Sequence, residues 1–526
     1  MLFTLSYSNK NTLTLLLLSQ VFLFSQSAIA VEADNDIIIY NTDDIECNRD
    51  SFDISICKDK NGALINGKTR LYYPTGDLEY EANWKNGRLD DLSVRYYMSG
   101  QIEIEKHFKN GIQTGTAKEY YENGQIKSEI QWDNHLPNGT RKEYYENGNL
   151  KSESLWKNGK ANGPSKQYYI SGNLKSESSW SNDRQTGVSK KYDETGILRS
   201  KAEWENNLPN GLSVEYDETG ALKSETSFVE GVINGLRREF YPDGTLYSEV
   251  MWKNGNRHGV LREYYPTGSL KSETPWVDGK QNGSGKGYFE NGQLQYENSW
   301  NNGKLHGKFV DYYENGFVKA EYEFLDGLQN GLRKDYYDSG DILSETNWIN
   351  GKKEGLALQY YKFGVLASEI NFKNDKAEGE AKFYHDNGQE AKKVKFIEDK
   401  REGILQQYDE NGMLIAEIPY VNDKENGVMK SYFANGQIES ETNMEDGKEN
   451  GIVKLYYENG NLKAELSFKK GIRDGISKWY FDNRNIETTV EYINGIREGV
   501  RKEYYEDGRL KSETIWKSGR KINTAH

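Results

Sequence analysis

Cysteine, histidine and proline are all scarce, with 2, 6 and 8 copies in 526 residues. Cys47 and Cys57, with nine residues between them, exclude a disulfide-dense scaffold and leave one small disulfide loop as the expectation. They also fall short of a zinc site, because no histidine is nearer than His107. The other histidines, at 135, 258, 306, 385 and 526, have no partner motif, and G-x-S-x-G, a phosphate-binding loop and H-E-x-x-H are all missing. The chain therefore reads as not an enzyme, with no cofactor and no metal. Hydrophobic residues make up only 35%, which excludes a large closed core, yet 13% aromatics are too many for a disordered chain. A net charge of −14 opposes nucleic acid and anionic lipid as main ligands. One long apolar run exists, Leu13 to Phe24, which is too short to span a bilayer comfortably. With Lys10 before it and Ala28-Ile29-Ala30 after it, residues 1–30 read as a signal peptide with Val31 as the mature start. Export to the periplasm, cell surface or medium is expected, with no membrane contact beyond it.

What is abundant is repetition. From Gly76 to Gly508 the chain repeats every 24 residues without insertion or deletion, giving nineteen units such as YYENGQIKSEIQW (Tyr120 to Trp132). A single period argues for one elongated array over residues 62–520, behind a leader at 31–61 that carries Cys47 and Cys57, and before a tail at 521–526. With the Gly of YYENG as position 0, position −4 is aromatic in all nineteen units, and position +8 in eighteen, Met444 being the exception. Ten of the eleven Trp lie at +8, including Trp132, Trp156 and Trp300, which marks a structural slot.

The turn chemistry predicts the local fold. Tyr241-Pro242-Asp243-Gly244-Thr245 suits a type I turn followed by a left-handed glycine, a three-residue hairpin loop in which Gly124, Gly148 and Gly244 are structural. Position −4 then pairs with the aliphatic residue at +2. Counting on by twos places +2, +4, +6 and Trp at +8 on one apolar face with −4 and the aliphatic residue that twelve units carry at −8. The other face is expected to be polar, with cross-strand pairs Glu119–Lys127, Glu143–Lys151, Arg141–Glu153 and Arg333–Glu345. A second, looser turn joins units, and its last Gly, at −9 in all units but one (Asp91), predicts positive φ or a tight backbone approach. Arg484 replaces the turn Gly once, where Asn483 or Asn485 is expected to take the unusual backbone instead. The predicted fold class is all-β: about nineteen hairpins in one twisted or coiled antiparallel sheet, with next to no helix.

Tyr296-Glu297-Asn298-Ser299-Trp300-Asn301-Asn302-Gly303-Lys304-Leu305-His306-Gly307 resembles the MORN repeat. The longer YYENGxLKSE form is similar to the bacterial MORN variant of YwqK-type proteins, commonly labelled as antitoxins of toxin–antitoxin systems. That resemblance implies rows of β-hairpins used as binding or scaffolding modules. The leading expectation is an exported, protein-binding scaffold, antitoxin- or immunity-like as the label implies. Tyr121, Tyr145, Tyr265 and Tyr313, in the second aromatic column at −3, are expected to project from the polar face toward a protein partner. The alternative is a glycan or cell-wall binder whose aromatic rings stack on sugars. An open sheet would expose its apolar face, so coiling with self-association is also expected.

Overall fold

The computed structural model describes residues 45–49 and 55–525, with side chains to residue 522. The expected signal peptide lies outside the described residues. Two units divide at Thr245/Leu246. In each, successive strands pair antiparallel, from Gly67–Tyr72 to Val232–Phe240 in the first and from Leu246–Lys253 to Arg520–Ala525 in the second, where short strands such as Asn256–Arg257 share the partner of the strand that follows them. Among the described residues the first and last strands of neither unit pair with one another. The only helical element there is a single 3-10 turn, Lys362–Gly364.

The first turn of each repeat is the expected three-residue loop. In Tyr121 to Gln125 the Gly124 amide donates to the Tyr121 carbonyl at 2.9 Å, and the Tyr121 amide to the Gln125 carbonyl at 2.8 Å. Gly124, Gly148 and Gly244 have φ of 83°, 86° and 87°. At Arg484 the arginine itself takes the left-handed conformation (φ 72°), with neither neighbouring asparagine in that region, because the turn hydrogen bond requires it at that position.

The second turn is tight, contrary to the expectation of a loose one. Lys157 pairs with Lys160 across Asn158 and Gly159, whose φ of 50° and 78° are those of a type I′ hairpin. What looked like slack is a β-bulge two residues further on. Every glycine at −9 has positive φ, from 65° at Gly187 to 129° at Gly163, and Asp91 adopts 77° in the same slot.

A further bulge next to the first turn reassigns the faces. Tyr120 pairs with Ile126, but Glu119 then pairs with Ser128, so Lys127 is the extra residue. Beyond that point +4, +6 and +8 share a face with −5, −7 and −9, and the aliphatic −8 residues lie on the other side with −4, −6, +5 and +7. The single apolar face expected from counting by twos is therefore wrong. So are three of the ion pairs: Arg141 bonds Glu143 at 2.6 Å and Arg333 bonds Asp335 at 2.7 Å, each two residues along its own strand, and Lys151 lies over the Tyr145 ring instead of on Glu143. Glu345 pairs instead with Lys334 at 2.9 Å. Lys127 does reach Glu119, at 2.7 Å, from its bulge.

The core is a narrow seam mainly on the tryptophan face, where −7 meets +6 across the hairpin, with Val94, Val214 and Val310 at −6 buried on the other face. Ala117 opposes Ile130, Ala381 opposes Val394 and Val453 opposes Leu466. Small side chains dominate: Ala82, Ala464 and Ser477 are wholly buried. At the N-terminus a two-stranded hairpin, Ile45–Arg49 with Ser55–Asp59, carries the Cys47–Cys57 disulfide. It docks on the first repeat: the Cys57 amide donates to the Gly87 carbonyl at 2.8 Å, and Gly87 donates to Ile65, which is fully buried.

Substitution of Gly163 by alanine tests the bulge. A Cβ there would meet Leu155 Cδ2 at 2.7 Å at a φ of 129°, so we expect a loss of about 1–3 kcal/mol in urea denaturation. Gly355, at φ 80° with nothing within 4 Å, should tolerate alanine better. Equal losses would discount the close approach.

Candidate interaction surface

Four ladders run from repeat to repeat, and most of the polar side chains singled out in the sequence belong to them. The first uses the −3 tyrosines. Tyr121, Tyr145, Tyr265 and Tyr313 each donate their hydroxyl to the carbonyl of the −4 tyrosine one repeat on, at 2.8, 2.9, 2.9 and 2.8 Å. These half-buried side chains alternate with −5, −7 and −9, which puts them on the tryptophan side of the sheet, opposite to the expectation. Lys151, Lys271 and Lys319 lie over the rings of Tyr145, Tyr265 and Tyr313 at 5.7–5.9 Å. His385 takes over the tyrosine's task, its Nε2 standing 3.0 Å from the Tyr408 carbonyl. Asp193, Asp217 and Asp409 turn inward instead, each accepting two amides of its own loop at 2.8–3.0 Å. Their carboxylates thereby serve turn formation, and that of Asp193 also takes Arg199 at 2.6 Å.

The second ladder lies on the opposite face. In most repeats the −4 tyrosine donates to the +5 glutamate of the preceding repeat, as Tyr120 to Glu105 (2.7 Å), Tyr432 to Glu417 (2.8 Å) and Tyr480 to Glu465 (2.9 Å), whereas Tyr408, facing Lys393 at that position, donates to Gln406. The same glutamates take the −6 lysines, for example Lys190 to Glu177 at 2.6 Å. The third ladder runs along the hairpin tips: Asn315, Asn387 and Asn435 donate to the next loop's carbonyls at 2.8, 2.7 and 2.9 Å. The fourth joins the second turns, where the Gly159 and Gly279 amides donate to the Pro137 and Arg257 carbonyls.

The +8 column is half-buried at the far end of the tryptophan face. Trp156 and Trp300 donate their indole N–H to Ser154 and Asn298 at 2.9 Å, while that of Trp132 is buried without a partner. Between consecutive rings sits the residue at +13, and in the second unit it is often a cation. Arg257 lies 5.8 and 5.0 Å from the rings of Trp252 and Trp276, and Lys353 lies 5.9 and 5.1 Å from Trp348 and Phe372.

The sequence reading missed the feature that stands furthest out. Ten of the twelve −8 aliphatic residues are exposed, among them Val188 and Leu212 in the first unit and Leu332, Leu356 and Ile404 in the second.

The MORN repeat variant model matches residues 65–86, 113–134, 137–158, 185–206, 233–254, 257–278, 281–302, 329–350, 353–374, 377–396, 401–422, 425–446, 449–470 and 497–518. This chain belongs to the MORN repeat variant family. The MORN hairpin also recurs in unmatched stretches: Arg88–Tyr96 pairs with Ile102–Lys109 in the register of its neighbours. No curated protein matches the chain. Similar solved structures include that of TcdB2-TccC3, 13% identical over 87% of this chain and 28% of that one, with a TM-score of 0.13. Another is the Photorhabdus luminescens Tc holotoxin pore, 11% identical over 90% of this chain and 30% of that one, also at 0.13. The MORN array thus spans under a third of the length of these proteins, and at such scores the likeness carries no argument.

Two outcomes test the ladders. Burial, then the glutamate hydrogen bond, pushes Tyr120, Tyr432, Tyr456 and Tyr480 up to about 12. An unfolded tyrosine ionises near ~10, so the neutral folded form is favoured. That stability is complete below pH ~10 and is lost as pH rises toward ~12. Absorbance titration should show a late phenolate component that merges with the rest on unfolding; a single early transition in the folded protein would refute it. Tyr145→Phe should cost about 1 kcal/mol in chemical denaturation, and no change would remove the first ladder's role.

Proposed function

We propose that this MORN array is an exported, non-catalytic scaffold that binds protein along its sheet. The observation that carries this reading is the −8 stripe: an aliphatic side chain recurs at one place in the repeat and stands out of the sheet in ten units. A periodic exposed apolar stripe is a surface for association. The four ladders hold that stripe in a preorganised frame, which reduces the ordering cost of binding. Export is supported by the apolar run and cleavage pattern before Val31 and by the Cys47–Cys57 bond, which suits an oxidising compartment. An antitoxin or immunity role is the special case in which the partner is an exported toxin, and it rests on the label attached to similar bacterial variants.

Glycan binding would use the faces of the +8 rings. Arg257 and Lys353 occupy the space between those rings, so the faces are already taken at these stations. This favours a protein partner.

Capture from envelope and secreted fractions, read by quantitative mass spectrometry, tests the proposal with the mature chain and with Leu332→Ser/Leu356→Ser. One dominant, saturable protein is expected, depleted in the variant. Retention by wall fragments alone, or enrichment that ignores the variant, would overturn it.

A further inference from the structure

In the second unit the −8 stripe is aliphatic in five consecutive repeats: Ile404, Val428, Ile452, Ile476 and Val500. All five are exposed, Ile404 and Ile476 by 56%. The strands between them carry Pro419, Asn443, Ser467 and Glu491 at +7; the first three are too short to fill their gaps, and Glu491 stands between Ile476 and Val500. Asn443 lies down on the sheet, donating to the Ile452 carbonyl at 2.8 Å. The surface is therefore a row of aliphatic ridges separated by shallow grooves, one strand apart.

Beside this row runs a column whose charge alternates strand by strand over Glu417, Lys430, Glu441, Lys454, Glu465 and Lys478, is interrupted at Thr489, and resumes with Lys502 and Glu513. Lys454, Lys478 and Lys502 pair within the chain to Glu441, Glu465 and Glu513 at 3.8, 3.8 and 3.1 Å, and their side chains remain 42–43% exposed. Each lysine shares its strand with a ridge, and each glutamate shares its strand with a groove, as in Ile452↔Ser467 and Lys454↔Glu465.

That arrangement is self-complementary. We propose that this face is an interface between two copies of the chain, laid face to face and antiparallel about a twofold axis between the strands Gly451–Tyr456 and Leu462–Lys469. This proposal rests on the scaffold reading only in treating the stripe as a docking face. About that axis Ile452 sits over the second copy's Ser467, Ile476 over its Asn443 and Val500 over its Pro419. The same placement sets Lys454 against Glu465, Lys478 against Glu441 and Lys502 against Glu417, each twice by symmetry. That displacement brings Ile452 and Ile476 onto grooves and three lysines onto glutamates, while Val428 meets the second copy's Glu491 and Lys430 its Thr489. A first copy cannot use its own stripe this way, and a parallel copy would oppose like charges. Sheet twist confines close contact to the strands nearest the axis.

Sedimentation velocity over a concentration series, with the full mature chain, should show a monomer–dimer equilibrium. Lys454→Glu with Lys478→Glu should weaken it by about tenfold, and adding Glu441→Lys with Glu465→Lys should restore it, as indifferent apolar adhesion would not. A second readout uses Asn443→Cys with Ile476→Cys. These positions lie three strands apart in one chain, about 14 Å, beyond disulfide reach, so oxidation should yield a covalent dimer, whereas either single variant should not. A monomer at all concentrations, or no covalent dimer on oxidation, overturns the pairing. The scaffold reading would survive that result, since it stands on stripe-dependent capture of a different protein.

Discussion

The β-bulge beside each first turn is the constraint on which the rest of the structure depends. Strand side chains alternate between faces, so one unpaired residue, such as Lys127, exchanges the faces of everything beyond it. A second bulge, at the −9 glycine, completes the register before the next unit begins. The tail shows a shorter bulge at the same place. Asn523 stands in the glycine slot, and Ile515 pairs with Asn523 and Thr514 with Thr524, one residue out of step with the preceding hairpins. With both bulges in place, the two adjacent tyrosines of YYENG point to opposite sides and each can reach the next or preceding repeat.

Those reaches explain how a chain with so little apolar content holds a sheet. The buried seam is narrow and built of small residues, so each unit contributes modest hydrophobic stabilisation. Hydroxyl, carboxylate and amide groups at repeat-to-repeat distance supply the rest, each modest alone and multiplied along the array. A nearest-neighbour design also tolerates local exceptions. Phe289, Phe433 and Phe481 lack the −3 hydroxyl, and Asp193 spends its carboxylate on its own loop, yet the hairpins around them keep their register. Met444 in the aromatic column pairs with the Gly427 of its strand partner as tryptophan does elsewhere. The stabilising contacts occupy most of the polar groups, which leaves the aliphatic stripe as the part of the repeat with no task inside the chain.

Much of the fold was legible in the residues because turns are local. Pro242-Asp243-Gly244 specifies its loop through backbone preferences of three residues, and a glycine recurring at −9 signals positive φ whatever surrounds it. The period, the hairpin unit and the pairing of −4 with +2 all follow from such short-range rules. The face assignment did not, because a bulge leaves no distinctive residue at the point where it occurs; position +3 is often lysine, which suits an ordinary exposed strand equally well. The ion pairs of Arg141 and Arg333 were misplaced for the same reason, by one step of register.

The sequence alone determined that this is a 24-residue hairpin array with two turns per unit, since those features depend on φ preferences and spacing within a few residues. Only the tertiary structure decided which columns share a face, that Tyr121 and Tyr145 serve the neighbouring repeat, and that the −8 aliphatic residues stand exposed. Those properties depend on which atoms meet across strands, and a single extra residue in the ladder inverts them.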